Sequence, residues 1–241
     1  MTPTAPSQHT IAGTVLTMPV RVRTAAQHMA MFSVDADAAQ RMIDYSGLQV
    51  CRYRPGKAVA VLMLMHYLDS DLGQYYEYGT NIMVNPPGSS ASGLGALKNA
   101  GAFIHHLPVD QAFTLEAGRK IWGYPKVLAD FTLREGRKFG FDVSIDGRHV
   151  IGMDFKRGFP VPAPSKPQAP PTFSHTDGIT RQTVGVMRPT GVRYRPGGVG
   201  VRLGDHPYAR ELAELGLPKR AMLSGSAANV DMTFNDAQEI E

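Results

Sequence analysis

Apolar residues follow strand patterns over most of this chain. Residues 20–23, Val-Arg-Val-Arg, alternate apolar and polar positions, as a half-buried strand does. Residues 57–67 are almost continuously apolar and predict a buried strand, and residues 81–84 continue a second strand that Asn85-Pro86-Pro87-Gly88 interrupts. Further strands are predicted over residues 102–115, the stretch after Lys126, and residues 139–145, 149–155, 180–186, 198–203 and part of 221–234.

Two segments have the signals of helices, and one has the signal of a tight hairpin. Asp35 is a good N-cap for a helix that continues to about Tyr45 and ends at Gly47. A second helix is predicted over residues 208–215. Asp146-Gly147 between two strand patterns predicts a two-residue hairpin turn. Many strands and two helices favour a mostly β domain (β-rich α+β), closed or partly closed into a barrel.

The boundaries of this domain are set by two segments of unusual composition. Residues 1–18 are rich in Thr and Pro and are expected to form a loose N-terminal lead-in. Residues 158–173 contain six prolines and are not expected in a sheet interior. This proline-rich segment could link two domains or cross over within one. We adopt the second interpretation, a single domain over residues 1–241.

Composition excludes several classes of protein. Cys51 is the only cysteine, which leaves no disulfide framework and no cysteine-based metal site. The 25 Lys and Arg residues against 21 Asp and Glu give a net charge of +4 without a basic block, so no nucleic-acid partner is expected. The longest apolar run, residues 58–65, is too short to cross a bilayer. The N-terminus lacks the pattern of a secretory signal, and a cytoplasmic location is expected.

Lys126 is the most informative candidate for chemistry. Pro125 restricts the backbone before it, and Trp122, Tyr124 and Val127 supply apolar surroundings. An apolar environment disfavours a charged ammonium group. Lys126 is therefore either a strand lysine that reaches outward to water or an amine kept neutral to act as a nucleophile.

Glu77 lies among tyrosines, a setting that suits a carboxylate for general acid–base work. Tyr75 would point to the same side of a strand and could donate a hydrogen bond to a substrate oxygen.

His105 and His106 would point to opposite faces of a strand and so could not bind one metal ion there. A Gly-rich dinucleotide fingerprint and a Gly-x-Ser-x-Gly elbow are both missing from the sequence, and neither a metal nor a cofactor is expected.

The segment Gly118-Arg119-x-x-x-x-Tyr124-Pro125-Lys126 resembles the signature of the acetoacetate decarboxylase family. Met65-His66, Leu72-Gly73 and residues 75–79 (YYEYG) resemble a second block of that family, and residues 212–215 resemble its C-terminal segment. The resemblance implies an antiparallel sheet curled into a conical β-barrel with a few peripheral helices.

The same resemblance implies roles for particular residues. Lys126 would form a Schiff base with a ketone, and Glu77 would occupy the acidic active-site position. An early arginine of the family meets the substrate carboxylate, and Arg23 is the candidate here. Arg119 matches the motif, and Trp122 is expected to line the substrate site. The sequence departs from the founding members at Val127, where they have a second lysine, and at Val61, where they have an acidic residue.

Three functions remain open at this point. The first is a cofactor-free lyase that decarboxylates a β-keto acid through Lys126. The second is a Schiff-base aldolase or dehydratase that acts on a pyruvate-like keto acid. The third is a non-catalytic β-barrel that binds an apolar ligand. A small keto acid is the expected partner for the enzymes, with no membrane partner, and a homo-oligomer is expected with its subunit number left open.

Overall fold

The computed structural model describes residues 6–136 and 138–240. Strands hold 53% of the residues and helices 14%, which confirms the prediction of a mostly β protein. Within these ranges the strands are β1 (Gln8–Ile11), β2 (Thr14–Thr17), β3 (Val20–Asp35), β4 (Lys57–Ser70), β5 (Tyr75–Val84), β6 (Gly101–Val109), β7 (Lys126–Leu128), β8 (Asp130–Arg134), β9 (Phe139–Ile145), β10 (Arg148–Phe155), β11 (Phe159–Pro160), β12 (Pro171–Thr176), β13 (Ile179–Thr190), β14 (Arg193–Arg195), β15 (Val199–Leu203), β16 (Leu223–Ala227), β17 (Asn229–Phe234) and β18 (Gln238–Glu239). The α-helices are α1 (Ala36–Ile43), α2 (Ala112–Trp122) and α3 (Pro207–Glu214).

Seven of these strands close into a barrel in the order β3-β17-β13-β12-β6-β5-β4. The ring closes because β4 pairs with the long strand β3 along almost its whole length. The other edge of β3 pairs with β17 near Val22 and with β16 near Met29. One strand of 16 residues therefore belongs both to the barrel and to its extension through β16, β14 and β11.

The barrel is not purely antiparallel, in contrast to the expectation from the sequence. β5 covers one edge of β6, and along the other edge β6 pairs in parallel first with β12 and then with β7. Parallel neighbours need a crossover connection. Between β6 and β7 that connection is α2, which makes a β-α-β unit of residues 101–128.

α2 also corrects the prediction of a single strand over residues 102–115. The strand ends at Val109, Gln111 caps the new helix through its side chain, and the helix continues to Trp122. Apolar residues follow both the strand and the first turn of the helix, which concealed the boundary in the sequence. The helix is also not peripheral, because it buries Ala117 and Ile121 in the same apolar cluster as residues of the barrel strands.

Other local predictions have mixed outcomes. The N-cap at Asp35 and the left-handed Gly47 are confirmed, and so is the Asp146-Gly147 turn between β9 and β10. The prediction of a loose N-terminal lead-in is wrong for residues 8–17, which form the β1–β2 hairpin. Residues 1–5 lie outside the described part of the chain. The prediction that the proline-rich segment of residues 158–173 stays outside the sheet is wrong at its end, because Pro171 begins barrel strand β12.

Two apolar clusters lie on opposite sides of the barrel wall. The inner cluster contains residues of β3, β4, β5, β6 and β17, together with one face of α2. The outer cluster lies between the wall, α1, α3 and a separate four-stranded sheet in the order β15-β10-β9-β8. Among the described residues no helix is both long and apolar enough to cross a bilayer.

Candidate active site

The β6-α2-β7 unit sets the position and direction of Lys126. α2 ends at Gly123, whose left-handed backbone (φ 60°) allows its N–H and that of Tyr124 to reach carbonyls of the last helical turn. Pro125 follows and starts an extended segment. Lys126 is then the first residue of β7, opposite Leu107 of β6, and its side chain is only 2% exposed.

The amine of Lys126 has two close polar contacts. Its Nζ lies 2.8 Å from Oε2 of Glu77 and donates a hydrogen bond of 2.8 Å to Oγ1 of Thr114. The Nζ also lies 5.1 Å from the centroid of the Tyr75 ring. The nucleophile candidate and the acid–base candidate are therefore in direct contact, which the sequence did not predict.

Glu77 is held in place from its other side by Tyr67. The Tyr67 hydroxyl donates a 2.9 Å hydrogen bond to Oε1 of Glu77. Tyr67 and Tyr75 are paired across β4 and β5, and their rings stack at 4.2 Å. Because Oε1 accepts from Tyr67 while Oε2 faces Lys126, the carboxylate has a fixed orientation in a buried setting.

The tyrosines around this pair stay protonated at neutral pH. Burial, followed by the nearby charge of Glu77, raises the pKa of Tyr67 and of Tyr75 well above the usual value. Burial raises the pKa of Tyr124 to about 12. These hydroxyls can therefore donate hydrogen bonds to a carboxylate or to a substrate oxygen.

Thr114 and Gly118 make the face of α2 that receives the lysine. They are four residues apart and so lie on the same side of the helix. A Cβ at Gly118 would come within 2.5 Å of Cδ and 2.6 Å of Cε of Lys126. Glycine at this position thus leaves the space that the aliphatic part of Lys126 occupies.

We expect Gly118→Ala to lower the melting temperature, although alanine is the better helix former by about 0.5–1 kcal/mol. Overpacking against a buried side chain costs about 1–3 kcal/mol, so the net effect should lower Tm by roughly 2–8 °C. Gly95→Ala is the matched control, because Gly95 has a helical backbone and a Cβ there meets no atom within 4 Å. An equal or higher Tm for Gly118→Ala than for the control, measured by calorimetry, would contradict this role.

Arg119 and Trp122 lie beside the site. Among the described residues, neither of them makes a hydrogen bond to the amine of Lys126. Arg119 is exposed, and its Nε donates a 2.8 Å hydrogen bond to the backbone carbonyl of Lys126. This contact fixes the backbone from which the lysine side chain starts. The indole N–H of Trp122 donates to the carbonyl of Asn235 at 2.8 Å, and its ring packs on Tyr124 in the inner cluster.

Arg23 is the predicted site residue that the structure does not bring to Lys126. Its side chain is 47% exposed, and its guanidinium contacts Asp69 at 3.1 Å and Asp71 at 2.6 Å. Val22 beside it points inward, so strand alternation directs Arg23 outward. The arginine is already engaged by two carboxylates on the outer surface.

Thr114 and Tyr67 are the members of the site that the sequence analysis missed. The sequence pattern predicts a strand over residues 102–115, in which Thr114 has no helical relation to Gly118. A tyrosine within the apolar strand of residues 57–67 was a usable signal, because a buried phenol needs a hydrogen-bond partner.

A second polar cluster lies on the outer face of the barrel wall and corrects the expectation for His105 and His106. Thr80 of β5 pairs with His106, whereas Asn81 pairs with Ile104, so the register shifts at His105. This β-bulge places both imidazoles on the same side of β6. Both Nε2 atoms contact Oε2 of Glu211, at 3.1 Å from His105 and closer still from His106.

The charge states within this cluster follow from burial and hydrogen bonding. Burial lowers the pKa of His106 to about 4, so its imidazole is neutral at pH 7. Partial burial of Glu211 acts in the opposite direction on a carboxyl, but hydrogen bonds from His105 and His106 prevail and lower the pKa of Glu211 to about 2.

Comparisons with known proteins agree with this architecture. The sequence profile of the family described as acetoacetate decarboxylase matches residues 2–240. No curated protein sequence matches the chain. The crystal structure of acetoacetate decarboxylase from Legionella pneumophila gives a TM-score of 0.68 at 17% identity, covering 99% of this chain and 92% of that chain.

Two further solved structures share the fold. The enduracididine biosynthesis enzyme MppR, complexed with the condensation product of pyruvate and imidazole 4-carboxaldehyde, gives a TM-score of 0.62 at 18% identity, covering 99% of this chain and 98% of that chain. An acetoacetate decarboxylase-like enzyme from Sphingomonas wittichii RW1 gives a TM-score of 0.55 at 17% identity, covering 91% of this chain and 93% of that chain. At these identities the likeness concerns the fold.

Proposed function

The chain belongs to the acetoacetate decarboxylase family, and from this premise we propose that it is a lyase in which Lys126 forms a Schiff base with a keto acid. The observation that carries the proposal is the buried contact of 2.8 Å between Nζ of Lys126 and Oε2 of Glu77. An amine and a carboxylate at this distance can exchange a proton without solvent. The iminium formed on Lys126 supplies the electron sink, so the reaction needs no bound cofactor.

Activation of the amine starts with transfer of a proton from Lys126 to Glu77. The neutral Nζ then attacks the substrate carbonyl carbon, and a proton moves from nitrogen to oxygen to give a carbinolamine. Glu77 returns its proton to the departing hydroxyl. Water leaves, and an iminium faces an ionised Glu77.

Carbon dioxide then leaves by cleavage of the bond between the α carbon and the carboxylate. The electron pair of that bond moves to the iminium and gives a neutral enamine. Protonation of the enamine carbon takes one proton from solvent, delivered by Glu77. Water then hydrolyses the resulting iminium, which releases the ketone and restores the amine of Lys126.

The surroundings of the amine favour loss of the carboxylate over its tight binding. Thr114 and the phenols of Tyr67 and Tyr75 supply the polar groups near Lys126, and inner-cluster residues such as Leu107 and Val109 supply apolar walls. In such a setting a carboxylate is poorly solvated, whereas the developing CO2 is neutral. In this proposal the Tyr75 hydroxyl donates a hydrogen bond to a substrate oxygen. Arg23 does not bind the substrate, because Asp69 and Asp71 already engage its guanidinium.

A second candidate keeps the iminium and changes its fate. The enamine of a pyruvate-like keto acid could attack an aldehyde, followed by hydrolysis or dehydration. This alternative is favoured by the structural likeness to MppR, whose structure was determined in complex with the condensation product of pyruvate and imidazole 4-carboxaldehyde. Val127 stands where the founding members have a second lysine. Its side chain packs against the outer cluster, so this position places no second ammonium group beside Lys126.

A side-by-side rate comparison of acetoacetate, longer β-keto acids and pyruvate–aldehyde pairs, at two salt concentrations, tests the proposal. We expect acetoacetate to react slowly or not at all, and a bulkier keto acid or a pyruvate–aldehyde pair to be turned over. Rates should depend weakly on salt, because Lys126 is only 2% exposed and ions do not screen a buried pair well.

Two outcomes of that comparison would count against the proposal. Fast decarboxylation of acetoacetate with a strongly salt-dependent pH profile would contradict the substrate assignment and indicate a solvent-accessible cation near the amine. Absence of turnover with every keto acid would favour a β-barrel binding protein in which Lys126 only lines the cavity.

A further inference from the structure

His105, His106 and Glu211 form a compact set of potential metal ligands. Their ligand atoms all lie within 4.8 Å of one another. Both histidines are buried, and Glu211 is partly buried. The set joins two separate elements, because the histidines lie on β6 and the carboxylate on α3.

Packing around the three side chains fixes their orientation. The Tyr45 hydroxyl lies 2.9 Å from Nδ1 of His105. The Tyr208 ring stacks on His106 with centroids 3.4 Å apart. α3 begins at Pro207, behind the N-cap residue His206, and presents Tyr208 and Glu211 three residues apart on one face. The bulge in β6 brings the two imidazoles to meet that face.

We propose that His105, His106 and Glu211 form a binding site for a divalent transition-metal ion of the zinc type. Two imidazole nitrogens and one carboxylate oxygen are donors that zinc accepts, with bonds of about 2.0–2.2 Å. Ligand atoms around a tetrahedral ion with such bonds lie about 3.3 Å apart. The 3.1 Å separation between Nε2 of His105 and Oε2 of Glu211 is close to that value. The closer contact between Nε2 of His106 and Oε2 of Glu211 would have to lengthen to that value as the ion enters, through movement of these two side chains.

Binding of the ion requires the hydrogen bonds around it to rearrange, and both ring nitrogens of His105 keep a partner when they do. An ion between the three ligands replaces the imidazole N–H groups that point at Glu211. The ring hydrogen of His105 then resides on Nδ1 and is donated to the oxygen of Tyr45, which can accept as well as donate. A hydrogen bond of this kind to the outer nitrogen is the usual partner of a metal-binding histidine.

The site faces a surface cavity of about 570 Å³, lined also by Ala38, Arg41, Met42 and Glu214. The fourth position of the ion is therefore open to water or a small ligand. Lys126 lies on the other side of the wall, opposite Leu107, whose side chain belongs to the inner cluster. The ion would bind α3 to the strand that adjoins β7, on the opposite side of the wall from Lys126.

Titration of chelator-treated protein with Zn²⁺ and with Co²⁺ at pH 7.5 tests the site, read by calorimetry and by the visible absorption of tetrahedral Co²⁺. We expect one ion per chain in the wild type. Combined substitution of His105, His106 and Glu211 by glutamine should abolish binding, and Tyr45→Phe should weaken it by about 10–100-fold. The matched control is His66→Gln, since His66 is a partly exposed strand histidine that stacks on Tyr76.

Circular dichroism of each variant shows whether the fold is retained, and Glu211→Gln alone provides a variant that keeps a hydrogen-bond acceptor facing the histidines. Loss of Co²⁺ absorption in folded Glu211→Gln would support the site. Wild-type binding no tighter than that of the triple variant, or an equal loss in His66→Gln, would overturn it. These readouts do not depend on Lys126, so failure of the metal site and failure of the proposed lyase are distinguishable.

Discussion

Replacement of Lys126 by alanine is expected to abolish turnover of every keto acid that the wild type accepts. Without the amine neither the carbinolamine nor the iminium can form, and loss of a covalent nucleophile typically lowers the rate by about 10⁴-fold or more. Lys126→Arg should be equally inactive, because arginine keeps the charge beside Glu77 but cannot form a Schiff base. The assay is release of CO2 or of condensation product over time.

Lys120→Ala is the matched control for these variants. Lys120 lies on α2 close to the motif, is exposed, and donates a hydrogen bond from Nζ to the carbonyl of Thr10. We expect its rate to stay near that of the wild type. Residual turnover of more than about 1% in Lys126→Ala, with the fold intact, would show that another group carries the reaction.

The second large effect is expected for Glu77→Gln, which should slow turnover by about 10²–10⁴-fold while leaving Schiff-base formation much less affected. An amide preserves the shape of the side chain but cannot deliver the solvent proton that the enamine carbon takes up after CO2 has left. The amine of Lys126 still donates its hydrogen bond to Oγ1 of Thr114 in this variant, so it stays positioned for the first attack. Rapid-mix trapping measures imine formation, and steady-state assays measure turnover.

Glu116→Gln serves as the control, because Glu116 is an exposed carboxylate of α2 that accepts a hydrogen bond from the backbone of Ala12. Its turnover should match the wild type. If Glu77→Gln turned over as fast as this control, Glu77 would have a structural role beside Lys126 and another group would move the proton.

Local signals in the sequence predicted those parts of the fold that depend on adjacent residues. The Asp146-Gly147 turn and the Asp35 cap each rest on residues within one turn of the chain, and both are present. The motif around Lys126 also has a local cause, because Gly123 ends α2 and Pro125 starts the extension that carries the lysine. The signature residues therefore hold the backbone around the amine as well as the amine itself.

Contacts between distant segments were not readable in this way. The partnership of Lys126 with Thr114 depends on α2, whose start at Gln111 is a weak cap signal within an apolar stretch. The direction of Arg23 depends on which face of β3 the barrel encloses. His105 and His106 converge because of a bulge, and a shift of one residue in register reverses the side on which a strand residue lies.

The most direct test of Lys126 as the nucleophile is borohydride trapping with a panel of keto acids, read by intact mass and by peptide mapping. We expect the wild type to gain the mass of one reduced substrate adduct, located on Lys126, and Lys126→Ala to gain none. An adduct that persists in Lys126→Ala, or no adduct in the wild type with any keto acid, would contradict the assignment of Lys126 as the Schiff-base residue.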